Sequence, residues 1–179
     1  MKFLRITLIV CGLLLFPIAT VVAQHQDECK RDSEPVGGFS FCVPEGWSIK
    51  ARENEKYRAL FAPAVDNFTA NINFKDEESR LALANYVGSS IKTIVNSAAK
   101  LEASSIKLVG WTDFATTGGL NGNRVVFETE YKGMLIRTVQ FYLDGGERKF
   151  VLTGTCMVKD KDKFDVVFES TAKSFRLDK

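Results

Sequence analysis

The chain has little of what most catalytic centres are built from. Histidine occurs once in 179 residues, at His25, and cysteine only four times. A single imidazole removes most His-based triads, His-rich zinc sites and haem ligation. No Cys-x-x-Cys occurs, so neither a zinc ribbon nor a redox pair is available. The Gly118–Gly119 loop is followed by no Gly-Lys-Ser/Thr, and there is no G-x-G-x-x-G, so phosphate cradles are missing too. Internal repeats and low-complexity tracts are likewise absent. What remains is ordinary globular material, 45% hydrophobic and 26% charged.

Residues 1–23 read as a secretory leader rather than part of the fold. Lys2 and Arg5 form a basic front, Ile6 to Phe16 an apolar run, and Val21-Val22-Ala23 a compact exit. Cleavage is expected between Ala23 and Gln24. The alternative, a retained anchor, meets a run short for a roughly 20-residue span and broken by Pro17. Cys11 is mid-run behind bulky Val10, which does not suit lipidation.

The leader carries two of the 24 basic residues and none of the 22 acidic ones, so the expected mature chain is formally neutral. No basic excess is left to attract nucleic acid or an anionic membrane. At 156 residues the mature chain holds one domain.

Residues 24–38 are polar and aperiodic and end in Pro35-Val36-Gly37-Gly38, so they read as a flexible arm carrying His25. Residues 39–179 form the domain. Strands are expected over 39–43, from Trp47, and over 57–62 and 68–74, the last with Phe68, Ala70, Ile72 and Phe74 at period two. A long helix follows from about Glu77, capped by Asp76 or Ser79. Its stripe is Ala84, Val87, Ile91, Ile94, Val95 and Ala98. Three β-rich runs over 106–114, 124–131 and 135–143, and a fourth over 149–157, are joined by glycine turns and read as an antiparallel meander. A closing helix from about Lys161 places Phe164, Val167, Phe168, Thr171 and Phe175 inward, opposite Asp165, Glu169 and Lys173. Neither helix buries its stripe alone. The class is therefore α+β, an antiparallel sheet flanked by a long helix and a C-terminal helix.

Three cysteines remain after the leader. Cys29 sits in a polar stretch, and alternation turns Cys42 away from Phe39, Phe41 and Val43. Cys156 shares a face with Phe150 and Leu152 and reads as a buried thiol. Cys29–Cys42 is the favoured bridge, Cys42–Cys156 the next, and an exposed or intermolecular cysteine the remaining possibility.

Motifs that hint at chemistry are thin. Ser-x-x-Lys occurs at Ser89–Lys92, Ser97–Lys100 and Ser104–Lys107, and a desolvated lysine there would activate the serine. The companion Ser-Asp-Asn and Lys-Thr-Gly elements are missing, and Lys92 and Lys100 fall on the expected wet face. Residues 160–165 faintly resemble a calcium loop. Asp165 stands where glycine is required, though, and acids at a helix start serve as caps. Asn67-Phe68-Thr69 matches an N-glycosylation acceptor. Trp47 and Trp111 suit either ligand or partner contact, or a plain aromatic core.

The segment Phe39-Ser-Phe-Cys-Val-Pro-Glu-Gly-Trp47 resembles the opening strand and P-x-G-W turn of PsbP-like and DcrB-like proteins. Similar pieces follow at Gly122 and Arg124, Gln140-Phe141-Tyr142, Gly145-Gly146, Phe150-Val151-Leu152-Thr153, and Phe164, Phe168 and Ser174-Phe175. The resemblance spans 39–175 and implies an α/β/α sandwich around an antiparallel sheet. It also implies an exported, non-enzymatic protein that assists larger assemblies. No stretch matches the metal or docking residues of the family's photosystem subunit.

The leading expectation is thus an exported module, periplasmic or secreted and with no cofactor, that binds or assembles with a protein partner in the envelope or extracellular space. Two others stand beside it: a carrier of a small apolar ligand between helix and sheet, and a hydrolase with an unrecognised dyad.

Overall fold

The computed structural model describes residues 29–65, 68–97 and 103–178. The cleavage point at Ala23 and Gln24, Cys11, His25, Asn67, Ala98 and Lys100 lie outside the described residues. The elements run β1 (Arg31–Glu34), β2 (Phe39–Cys42), β3 (Ser48–Lys50), β4 (Ala59–Phe61), β5 (Asn71–Glu78), α1 (Leu83–Asn96), β6 (Ala103–Ala115), β7 (Asn121–Tyr131), β8 (Met134–Asp144), β9 (Arg148–Met157), α2 (Lys161–Ser174) and β10 (Arg176–Leu177).

Alternation along the long strands divides one antiparallel sheet into two apolar faces. Its order is β3-β4-β5-β9-β8-β7-β6, with a second sheet β1-β2-β10. On one face Ile72, Phe74, Val139, Phe141, Leu152 and Cys156 meet α2 and the small sheet. On the other, Val125, Phe127, Tyr142 and Val151 meet Tyr86 and Val87 of α1. Both helices are thereby buried on opposite sides, giving the expected α/β/α layering.

The α2 face is the tighter one. Phe168 is 1% exposed and lies directly over Gly154 of β9. A Cβ at Gly154 would come within 2.5 Å of the Phe168 ring, so only glycine admits this helix-to-sheet distance. Across the sheet from α2's start, Asp165 accepts from Arg137 at 2.9 and 2.7 Å and from Arg124 at 2.9 Å, while Arg137 also pairs with Glu128 at 2.9 Å. The helix is fastened electrostatically at one end and by aromatic packing along its middle.

Five expectations need correction. Residues 31–34, expected within a flexible arm, are strand β1, paired in register from Arg31–Cys42 to Glu34–Phe39. Arg58 holds them down through Asp32 at 3.2 Å and Glu34 at 3.1 Å. Next, β5 does not end at Phe74. Lys149 and Arg148 lie opposite Glu77 and Glu78, and Arg148 pairs with Asp76 of the same strand, so the ladder continues through charged residues. The helix consequently starts at Leu83 with Ala82 at its N-cap and no side-chain cap. Asp76 instead accepts from Lys56 at 2.8 Å and from Arg148 at 2.6 Å. On α1, Ala84 and Val95 are exposed, while Leu83, Tyr86, Val87, Ile91 and Ile94 make the contact. Finally, Asp165 faces the sheet rather than water, because two arginines wait there.

Candidate functional site

Cys29 and Cys42 are joined, with Cα atoms 5.6 Å apart, and Cys156 is free and buried. Burial pushes the Cys156 thiol up to about 12, with the Asp165 carboxylate adding to the effect. The bridge ties the chain before β1 to the end of β2. It borders a depression of about 1010 Å³ along the outer side of α2, lined by Arg31, Glu169, Lys173 and Arg176 among others. Much of the polarity there is engaged internally. Lys173 pairs with Glu169 at 2.7 Å, and Arg31 donates to the Ser174 carbonyl at 3.0 Å, closing the helix end.

Ser89 and Lys92 both lie exposed on α1, the side chain of Ser104 is outside the described residues, and Lys107 is exposed on β6. The structure therefore does not bring a described Ser-x-x-Lys pair into a closed cleft. Of the residues 160–165, Asp165 is committed to arginines and Asp162 stands in the first turn of α2, where its charge suits the helix dipole. Asp160 occupies the N-cap position without a capping side-chain hydrogen bond.

The interface between α1 and the sheet is occupied by side chains. Tyr86 donates to Glu77 at 2.8 Å, and Tyr142 to Gln140 at 2.6 Å. Burial raises both phenols, Tyr142 to about 12, so they remain donors at any physiological pH. A carried ligand would have to displace this packed layer.

The two tryptophans differ sharply. Trp47 stands edge-on to Phe164 and Phe168, with ring centroids 6.1 and 6.4 Å away. Trp111 is 45% exposed. It belongs to β6, which spans 13 residues and forms one end of the seven-stranded sheet. Among the described residues β7 is its only strand neighbour, so its outer row of amides and carbonyls has no ladder partner. Leu108 and Val109 beside Trp111 are 41% and 45% exposed. The opposite end of the sheet, β3, has only three residues, Ser48–Lys50. Short edges are how sheets ordinarily discourage foreign pairing, and β6 lacks that protection. A register shift between Leu108 and Gly110 supplies a bulge that interrupts the strand instead.

Next to Trp111, a depression of about 740 Å³ opens beneath the first turn of α1, with Leu83, Ala84 and Phe114 among its walls. Among the described residues, Asp113 is its one ionisable lining residue. Its carboxylate accepts from the Asn123 amide at 3.1 Å, and no lysine or arginine pairs with it among the described residues. Composition gave no sign of this site. The one local signal is the break in period two at Leu108-Val109-Gly110-Trp111, where a glycine inside an apolar strand marks a bulge.

By sequence, the chain matches no family model and no curated protein. By structure it is similar to CyanoP, the cyanobacterial PsbP of Synechocystis, with a TM-score of 0.63 and 13% identity over 83% of this chain and 91% of that one. LpqN of Mycobacterium tuberculosis, described as involved in cell envelope biogenesis, gives a TM-score of 0.59 and 12% identity over 87% and 88%. PA94 of Pseudomonas aeruginosa gives 0.53 and 14% over 75% and 88%. The fold is the PsbP-like α/β/α sandwich, as the resemblance over 39–175 implies.

Proposed function

We propose that the chain is an exported, non-enzymatic binding module, periplasmic or secreted, that engages a protein partner of the envelope or extracellular space through the β6 edge. The observation that carries this reading is the edge itself: 13 residues long, unpaired on its outer side among the described residues, and bearing exposed Leu108, Val109 and Trp111. Large apolar side chains grouped on a strand edge are costly to leave wet and are what partner surfaces use. The leader expected at 1–23 and the Cys29–Cys42 bridge support an oxidising, exported setting. No helix among the described residues is long and apolar enough to cross a membrane. The envelope role described for LpqN points the same way.

Chemical crosslinking in the native envelope fraction tests the reading. The wild-type chain is expected to form a discrete adduct that a folded Leu108→Glu/Trp111→Ala double variant loses. Retention of every adduct by the variant would remove β6 from consideration.

A further inference from the structure

We propose that the partner supplies a short extended segment that adds antiparallel to Gly110–Ala115 and carries, from its N-terminus, a basic residue, any residue, then an aliphatic one. This rests on β6 being the contact edge and names the chemistry that would occupy it.

The bulge at Leu108 to Gly110 divides the edge, leaving Gly110–Ala115 as the regular run beside the depression. Trp111 lies opposite Val125 and Asp113 opposite Asn123 in β7. Residues two apart share a face, so Trp111 and Asp113 both stand on the α1 side, where Val125 packs near Val87. A strand added outside β6 would place one residue beside Trp111, with Leu83 and Ala84 forming the wall it reaches. The residue two positions earlier, in antiparallel sense, would stand beside Asp113. The first position is apolar. The second faces a carboxylate that has no cationic partner among the described residues, so a lysine or arginine there gains an opposite-charge cross-strand pair. Every strand pair in the main sheet is antiparallel, and that ladder is the more stable kind. Main-chain bonds supply affinity in this mode and the side-chain positions supply selectivity.

A second copy of the chain fits this run poorly. Symmetric pairing centred on Gly110–Ala115 with matching faces brings the two Asp113 carboxylates opposite or diagonal to each other, and no cation of the run relieves them. The bulge also blocks a continuous symmetric ladder along the whole strand.

The experiment uses the leaderless chain and three capped, threonine-rich peptides with cores Lys-Thr-Leu, Glu-Thr-Leu and the reversed order Leu-Thr-Lys, at up to millimolar concentration. Amide shifts and hydrogen exchange are read at Gly110–Ala115, together with Trp111 fluorescence. Lys-Thr-Leu should protect amides of this run and bind roughly fivefold more tightly than Glu-Thr-Leu, the size of exchanging an attractive for a repulsive cross-strand pair. Reversing the order should weaken binding. Asp113→Lys, checked for an unchanged circular dichroism spectrum, should invert the charge preference. Absence of protection in this run with any peptide, or equal binding of the Lys and Glu peptides, overturns the proposal. A β6-dependent adduct to an envelope protein alongside either result would sink this inference and leave the binding-module reading standing. Absence of any adduct from the wild-type chain, or its retention by the β6 double variant, would sink that reading.

Discussion

At Gly154 the absence of one methyl group decides how closely α2 approaches the sheet. Gly154→Ala forces Phe168 or the helix to move, an overpacking cost of about 1–3 kcal/mol, readable as a lowered urea midpoint with an unchanged slope. Asp165 satisfies two arginines, one of them with a side chain only 10% exposed. Asp165→Ala leaves Arg137 with Glu128 as its remaining carboxylate and is expected to cost about 2–3 kcal/mol in the same measurement. Asp76 gives stability a pH signature. Burial would raise its carboxyl, but hydrogen bonds from Lys56 and Arg148 outweigh that and hold it at about 2, below its ordinary 3.8. A group with a depressed folded pKa contributes fully above its unfolded value, and that contribution fades as pH falls from about 4 to about 2. With water at the rim screening the pair, the loss is on the order of 1 kcal/mol, and Asp76→Asn should flatten the acid limb of the stability profile. A steep acid limb in the variant would assign it to other groups.

Among the elements, those with a strong period were legible from the residues alone. β7, β8, β9 and α2 lie where alternation and 3.6-residue spacing put them, because those spacings record a buried face. Boundaries failed where charge, not hydrophobicity, continued an element. Glu77 and Glu78 look like a helix start in isolation, and only Lys149 and Arg148, some seventy residues on, make them strand. β1 was hidden for the same reason: its polar residues are held by Arg58, whose ion pairs with Asp32 and Glu34 reach across more than twenty residues. Since the Cys29–Cys42 bond closes a loop with a sequence separation of 13, reducing it should cost about 3 kcal/mol. Hydrogen exchange should then rise first in β1. Uniform exchange across the chain after reduction would show that β1 does not open separately.

For the molecule as a whole, the sequence marks out an α+β sandwich more readily than it locates a surface. Trp47 follows the Pro44-Glu45-Gly46 turn and Trp111 the Leu108-Val109-Gly110 bulge, and neither neighbourhood says which ring is covered. Sheet order does: it carries β6 to the rim and leaves Trp47 against α2. Contact through that rim is the central claim, and site-specific photocrosslinking measures it most directly. A photoreactive residue at Trp111 should yield an adduct with an envelope or extracellular protein, while the same residue at Lys50 on the short opposite edge should yield none. Equal adducts from both edges, or none from position 111, would contradict it.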